Sequence, residues 1–240
     1  MKVVILCGGR GIRLNEETAF KPKPMVMVGN RPIVWHIMKL YSHYGFHDFV
    51  LCLGYRGGMI RDYFADLTNG EPHWNVQCVD TGENAETGTR IMRVAPLLGD
   101  DEKFMLTYGD GVANVDIKKL VDFHDTHNKA LTITAIRPPN PFGVLEIDGH
   151  LITSFAEKQQ SKDWTNGGFM VCNRSVLGLL SDDAACIFEQ GPIQELSHRG
   201  ELVAYKHDNF WHCVDTLKHL EGLNALHAHG ERPWMVWEQM

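Results

Sequence analysis

The hydrophobic pattern opens with Val3-Val4-Ile5-Leu6, a β-branched run with no polar interruption. Such a run predicts a strand buried on both faces, as in a parallel sheet. A glycine-rich turn, Gly8-Gly9-Arg10-Gly11, follows at once. Pro32 then opens a helical pattern to about Tyr44, with Ile33, Ile37, Leu40 and Tyr41 on one face and Gly45 as its stop. Buried-strand patterns recur at 48–53, 75–79 and 104–108. Amphipathic helical patterns fall between them at 59–67 and 90–98, with Gly54-Tyr55-Arg56-Gly57 as a turn. Strands alternating with helices predict an α/β fold with a parallel sheet, right-handed crossovers, and ligands beyond the carboxyl ends of the strands.

The second half changes character. Strands are predicted at 130–137, 168–172 and 201–206, and helices at 175–180 and 192–199. The strands 144–147 and 151–155 flank Asp148-Gly149, a hairpin signal. Asp215 is the expected N-cap of a last helix reaching about His227. The tail 232–240 carries Trp234 and Trp237, which pack on the body or on another subunit. No linker or repeat divides the chain. The expectation is one domain over 1–240, with a nucleotide half at 1–128 and a sugar-phosphate half at 129–240.

Composition narrows the class. The 240 residues are 44% hydrophobic and 22% charged, ordinary for a globular domain with a substantial core. The net charge of −7 argues against a nucleic-acid or membrane surface. The six cysteines are widely spaced without Cys-x-x-Cys, which predicts free thiols in a reducing cytoplasm. The thirteen histidines contain no His-Glu-x-x-His. A signal peptide and a bilayer-spanning run are not expected.

The candidate chemistry starts in the first 31 residues. A strand, a glycine turn whose N–H groups suit phosphate, and the cations Arg13 and Lys23 suggest a polyphosphate site. The spacing fits neither a P-loop nor the dinucleotide fingerprint, because position 14 is leucine. Thr107-Tyr108-Gly109-Asp110-Gly111 ends a buried strand with a carboxylate between glycines, which suits either a Mg²⁺ ligand or a turn with a helix cap.

The segment Gly8-Gly9-Arg10-Gly11-Ile12-Arg13-Leu14, with Lys21-Pro22-Lys23-Pro24-Met25, resembles the signature of the nucleotide-sugar pyrophosphorylases, nucleotidyltransferases acting on sugar 1-phosphates. With Pro32 to Met38 it looks most like the cytidylyltransferases of that family that act on glucose 1-phosphate. The resemblance implies a nucleotide-diphospho-sugar transferase fold: a Rossmann-like, mixed, mostly parallel sheet flanked by helices, with antiparallel additions in the sugar-binding half. It implies CTP and a sugar 1-phosphate as substrates, with dTTP, UTP or another phosphorylated acceptor as alternatives. A catalytically silent nucleotide-sugar sensor on the same fold is a further alternative.

Roles carry over residue by residue. The resemblance implies catalysis by Arg13, Lys23 and Asp110, and Mg²⁺ held by Asp110 and Asp215. It places the nucleotide against Leu6, Gly8, Gly9, Gly11, Arg13, Lys23, Thr81, Gly82, Thr87 and Gly88. It places the sugar phosphate against Tyr108, Gly109, Glu157, Lys158, Asn166, Gly167 and Gly168. It also implies a cytoplasmic homo-oligomer serving cell-surface polysaccharide synthesis. The chain departs from the family at Ile12, where a threonine is usual, at Gln159, where a proline is usual, and in a shorter region between about Phe64 and Trp74.

Overall fold

The structure is a computed structural model, described for residues 1–11, 14, 17–66, 71–138, 142–156 and 161–238. Its first half runs β1 (Val3–Leu6), the short strands β2 (Met27–Val28) and β3 (Arg31–Pro32), α1 (Ile33–His43), β4 (Asp48–Leu53), α2 (Gly57–Ala65), β5 (Asn75–Asp80), α3 (Thr87–Val94), β6 (Lys103–Tyr108), β7 (Gly111–Ala113) and α4 (Ile117–Asp125). Its second half runs β8 (Leu131–Ile136), β9 (Val144–Asp148), β10 (Leu151–Ala156), β11 (Thr165–Asn173), α5 (Pro192–His198), β12 (Leu202–His207), β13 (Trp211–Cys213) and α6 (Leu217–Ala228).

One seven-stranded sheet unites both halves in the order β12-β8-β11-β6-β1-β4-β5. Within it β1 pairs in parallel with β4 and β6, β4 with β5, and β12 with β8. Only β11 runs against its neighbours, β6 and β8. The mixed, mostly parallel sheet expected from the sequence is therefore present. The hairpin at Asp148-Gly149 joins β9 to β10 outside that sheet, and Gly149 takes the left-handed φ of 58° that its turn needs.

The sheet is covered on both faces, so its strands alternate between two cores. Val3 and Ile5 face one core with α1, α4, α6 and Ile60 of α2. Val4 faces the other with Ile91 and Val94 of α3 and Leu196 of α5. Two-sided burial is why β1 and β4 appear in the sequence as unbroken apolar runs.

Four local expectations change. The helix expected at 175–180 is a short 3₁₀ turn over Arg174–Leu179. Helix α2 starts at Gly57 rather than Met59, because Arg56 takes a left-handed conformation and ends the turn early. Its expected end at Leu67 lies outside the described residues. Helix α3 starts at Thr87 rather than Arg90 and gives way to a 3₁₀ turn over Ala95–Leu98, where Pro96 has no N–H to continue the α ladder. Helix α6 is capped by Thr216, whose hydroxyl accepts from the His219 N–H, so Asp215 is not the cap.

All six cysteines are free. The tail packs on the body of its own chain. Trp234 is 1% exposed, stacks on Phe210 and donates its indole N–H to Nδ1 of His36. Trp237 meets Trp35 edge to face.

His36 is buried with both ring nitrogens engaged, Nε2 donating to the Val28 carbonyl at 3.0 Å. Burial lowers its pKa from 6.5 to about 4, against a smaller upward pull from that hydrogen bond. The folded chain therefore binds fewer protons than the unfolded chain between those values, and stability falls as the pH drops through that window. The His36 share is about 3 kcal/mol. Urea midpoints at pH 7 and pH 4.5 should show this loss, and His36→Gln should remove its part of the difference.

Candidate active site

In the sheet order, β4 and β5 lie on one side of β1 and β6 on the other. That reversal opens a crevice beyond the carboxyl ends of β1 and β6. A cavity of about 260 Å³ occupies it. Of the sequence-predicted residues, Leu6, Gly8, Gly9, Gly11, Lys23, Thr87, Tyr108, Gly109 and Asp110 line it. Cys7, Pro24, Ala85, Glu86 and Arg90 line it too, and the sequence reading missed these.

Lys23 lines the cavity from the 3₁₀ turn Lys23–Met25, which Pro22 and Pro24 stiffen. Its ammonium donates to Oδ2 of Asp110 at 2.6 Å and to Oδ1 of Asp215 at 2.7 Å. Burial pulls the ammonium pKa down, but the two carboxylates outweigh it and hold it above its ordinary value. Asp110 is not a helix cap: it occupies the turn between β6 and β7. Asp215 follows β13, and β13 pairs with β7 in the register Cys213↔Gly111. The Val214 N–H closes the arrangement by donating to the Asp110 carbonyl at 2.9 Å. This small antiparallel pair delivers two carboxylates, 105 positions apart in the chain, to one point.

Asp110 and Asp215 present hard oxygen donors converging on one cation, so they fit Mg²⁺, which takes one or two carboxylates and fills its remaining positions with phosphate oxygens and water. Among the described residues no group of three His, Cys, Asp or Glu forms a complete metal cage. Cys213 touches this pair, its thiol 3.6 Å from Oδ2 of Asp215. Burial, then Asp215 and Asp110, push its pKa up to about 12. Burial likewise raises the Cys7 thiol well above its ordinary value.

Arg90 forms the back of the cleft. It is 4% exposed, and its Nη1 donates to the Leu53 carbonyl, the Thr81 hydroxyl and the Gly82 carbonyl at 2.8–2.9 Å. Its Nη2 donates to the Gly8 carbonyl at 3.1 Å. The guanidinium is thus solvated by carbonyls and a hydroxyl, and it fixes the glycine turn against the ends of β4 and β5. Gly8 is required here, because a Cβ would lie 2.0 Å from Nη1 of Arg90. Nothing in the sequence pattern separates Arg90 from an ordinary helix arginine.

Other candidates are placed differently. Thr81 is fully buried, with its hydroxyl spent on Leu53 and Arg90, and Thr81 and Gly82 sit behind Arg90 rather than on the cavity wall. Gly88 faces Cys186, where a Cβ would fall 2.6 Å from the sulfur. Asn166 reaches the cleft through Tyr108, donating to its phenol oxygen at 3.1 Å. Gly168 takes φ +74° and gives its N–H to Oδ1 of Asn166, while the Gly167 carbonyl accepts from the Trp211 indole. Arg13, Glu157 and Lys158 lie outside the described residues, as do Ile12 and Gln159.

Comparison with known proteins identifies the family and the fold. The nucleotidyl transferase family model matches residues 2–222. The glucose-1-phosphate cytidylyltransferase of Salmonella typhi is 47% identical over 258 aligned positions, covering 99% of this chain and 100% of that protein. The enzyme of the same name from Salmonella typhimurium matches to the same extent. Among solved structures, HddC from Yersinia pseudotuberculosis superimposes with a TM-score of 0.70 over 93% of this chain and 98% of that one, at 22% identity, and so shares the fold. Among the described residues, no helix is long and apolar enough to cross a membrane.

Replacing Lys23 by Met leaves Asp110 and Asp215 facing each other without their counter-ion. In metal-free buffer at neutral pH the variant should lose about 2 kcal/mol of stability, a value reduced from that of a fully buried pair because both carboxylates are partly exposed. Added Mg²⁺ should narrow the gap. Urea titrations of both proteins with and without Mg²⁺ check this.

Proposed function

The chain belongs to the nucleotidyl transferase family, and on that premise we propose that it transfers the cytidylyl group of CTP to a sugar 1-phosphate, glucose 1-phosphate first among them. The products are a CDP-sugar and pyrophosphate. The observation that carries this reading is the convergence of Asp110 and Asp215 on one cation, the Lys23 ammonium, beside the cavity beyond β1 and β6. The 47% identity to cytidylyltransferases along their whole length supports the choice of base and sugar.

An oxygen of the sugar phosphate attacks the α-phosphorus in line with the bond to the β-phosphate. That bond breaks as the new one forms, and its electrons leave with pyrophosphate. The attacking oxygen is already anionic, so the step needs no general base. Catalysis then consists of positioning and of neutralising charge.

The N–H groups of the Gly8–Gly11 turn are suited to cradle the triphosphate. Lys23, once the carboxylates have another cation, is free to follow the phosphates, and Arg13 stabilises the departing pyrophosphate. Lys158 and Glu157 hold the sugar phosphate, with Asn166, Gly167 and Gly168 beside the ring. Mg²⁺ bound at Asp110 and Asp215 supplies neutralisation of the phosphate charge. The same proposal covers a cytoplasmic homo-oligomer that supplies nucleotide sugar for cell-surface polysaccharide.

Pyrophosphate release with Mg²⁺ tests the reading, with CTP, dTTP, UTP and GTP each run against glucose 1-phosphate. Turnover with CTP is expected, falling about 10²–10³-fold in Asp110→Asn. Turnover with another nucleotide alone would overturn the base assignment. Silence with every nucleotide and every sugar phosphate, together with retained binding of a nucleotide sugar, would mark a sensor.

A further inference from the structure

Glu189 lies in the segment between the 3₁₀ turn Arg174–Leu179 and α5, far in sequence from every motif above, and it is half-buried. That segment is laid across the start of α3. The Ala184 carbonyl accepts from the Glu86 N–H, and the Cys186 carbonyl from the Gly88 and Thr89 N–H groups. Helix α3 has no side-chain cap of its own, so these carbonyls satisfy N–H groups that its first turn would otherwise leave unpaired. Glu189 then turns its carboxylate toward the cleft. Oε2 accepts from the Thr87 hydroxyl and Oε1 from the Tyr108 phenol, each at 2.6 Å. Both donors line the cavity.

We infer that Glu189 is a positioning residue for the transfer reaction, setting the direction of a hydrogen-bond chain from the nucleotide side of the cleft to its sugar side. The inference rests on the reading that Thr87 lies beside the nucleotide and Asn166 beside the sugar. A carboxylate only accepts. Tyr108 must therefore give its proton to Glu189, which leaves the phenol oxygen as an acceptor for Nδ2 of Asn166. With its amide nitrogen so fixed, Asn166 presents Oδ1 to the Gly168 N–H at 2.9 Å. The left-handed turn at Gly168 is thus held by an order of donors and acceptors that begins at Glu189.

On the other side, the Thr87 hydroxyl gives its proton to Glu189 and accepts from the Phe188 N–H at 2.9 Å. Every link in the chain has one direction. An isosteric amide at position 189 reverses one of them. If its NH₂ meets Tyr108, the phenol must donate toward Asn166, and Asn166 must turn away from Gly168. If its NH₂ meets Thr87, the threonine proton loses its acceptor.

The test compares Glu189→Gln, Tyr108→Phe and the double variant with the unaltered protein. It measures KM for glucose 1-phosphate, KM for CTP, kcat and the melting temperature. Glu189→Gln should raise KM for glucose 1-phosphate about three- to tenfold, the worth of one hydrogen bond, with kcat little changed. Tyr108→Phe should do the same, and the double variant should add nothing to either, because both break one chain. An unchanged KM in Glu189→Gln, whether or not its melting temperature drops, overturns the inference, as do effects that multiply in the double variant. Should Glu189→Gln fail to fold, Glu189→Asp takes its place in the same cycle with Tyr108→Phe. An unchanged KM for glucose 1-phosphate in Glu189→Asp, or effects that multiply in the double variant, overturns the inference, and a raised KM to which Tyr108→Phe adds nothing supports it. If the unaltered protein itself makes no CDP-glucose, the failure belongs to the proposed function rather than to Glu189.

Discussion

The site depends on a single electrostatic constraint: two carboxylates brought close enough to share one cation. Two like charges converge in a partly buried site only at a cost, and here the ammonium of Lys23 offsets it. The main sheet alone does not produce the meeting. Asp110 leaves the end of β6, but Asp215 arrives from the far side of the second half and is drawn in by the three-residue strands β7 and β13. The rest of the cleft is arranged around that point. The glycine turn after β1 is fixed by Arg90, the proline-bounded turn of Lys23 supplies the counter-ion, and Tyr108 connects the end of β6 to the turn at Asn166.

The side chains around the cavity favour direct transfer between substrates. The Cys7 and Cys213 thiols are held protonated, Lys23 is held as an ammonium by two carboxylates, and the Thr87 hydroxyl is committed to Glu189. None of these presents a ready nucleophile for a nucleotidylated intermediate. What they offer instead is fixed geometry and positive charge, the two contributions a phosphoryl-type transfer with an anionic attacking group requires.

The legible part of the sequence was its local part. β1 and β4 occupy the spans expected, because an unbroken apolar run flanked by turns leaves a two-sided strand as the simplest outcome. Lys23, Asp110 and Asp215 were found through motifs, and their convergence could not have been read from spacing. The misses have two causes: partners distant in the chain, and local caps and turns one residue away from the expected one. Helix α3 starts three residues early because carbonyls of the 184–186 segment cap it. Asp215 looked like a cap because Thr216, the true cap, is its neighbour. Arg90 and Glu189 carry no local signature at all: each is distinguished only by oxygens or hydroxyls arriving from other elements.

The central claim is direct in-line transfer between two bound substrates. Its most direct test is the stereochemistry at the α-phosphorus, followed with CTP made chiral there by one sulfur and analysed in the CDP-sugar product. A single displacement predicts inversion of configuration. Retention would mean two successive displacements through a side chain of the protein, and would contradict the account of the cleft as a device for positioning and charge.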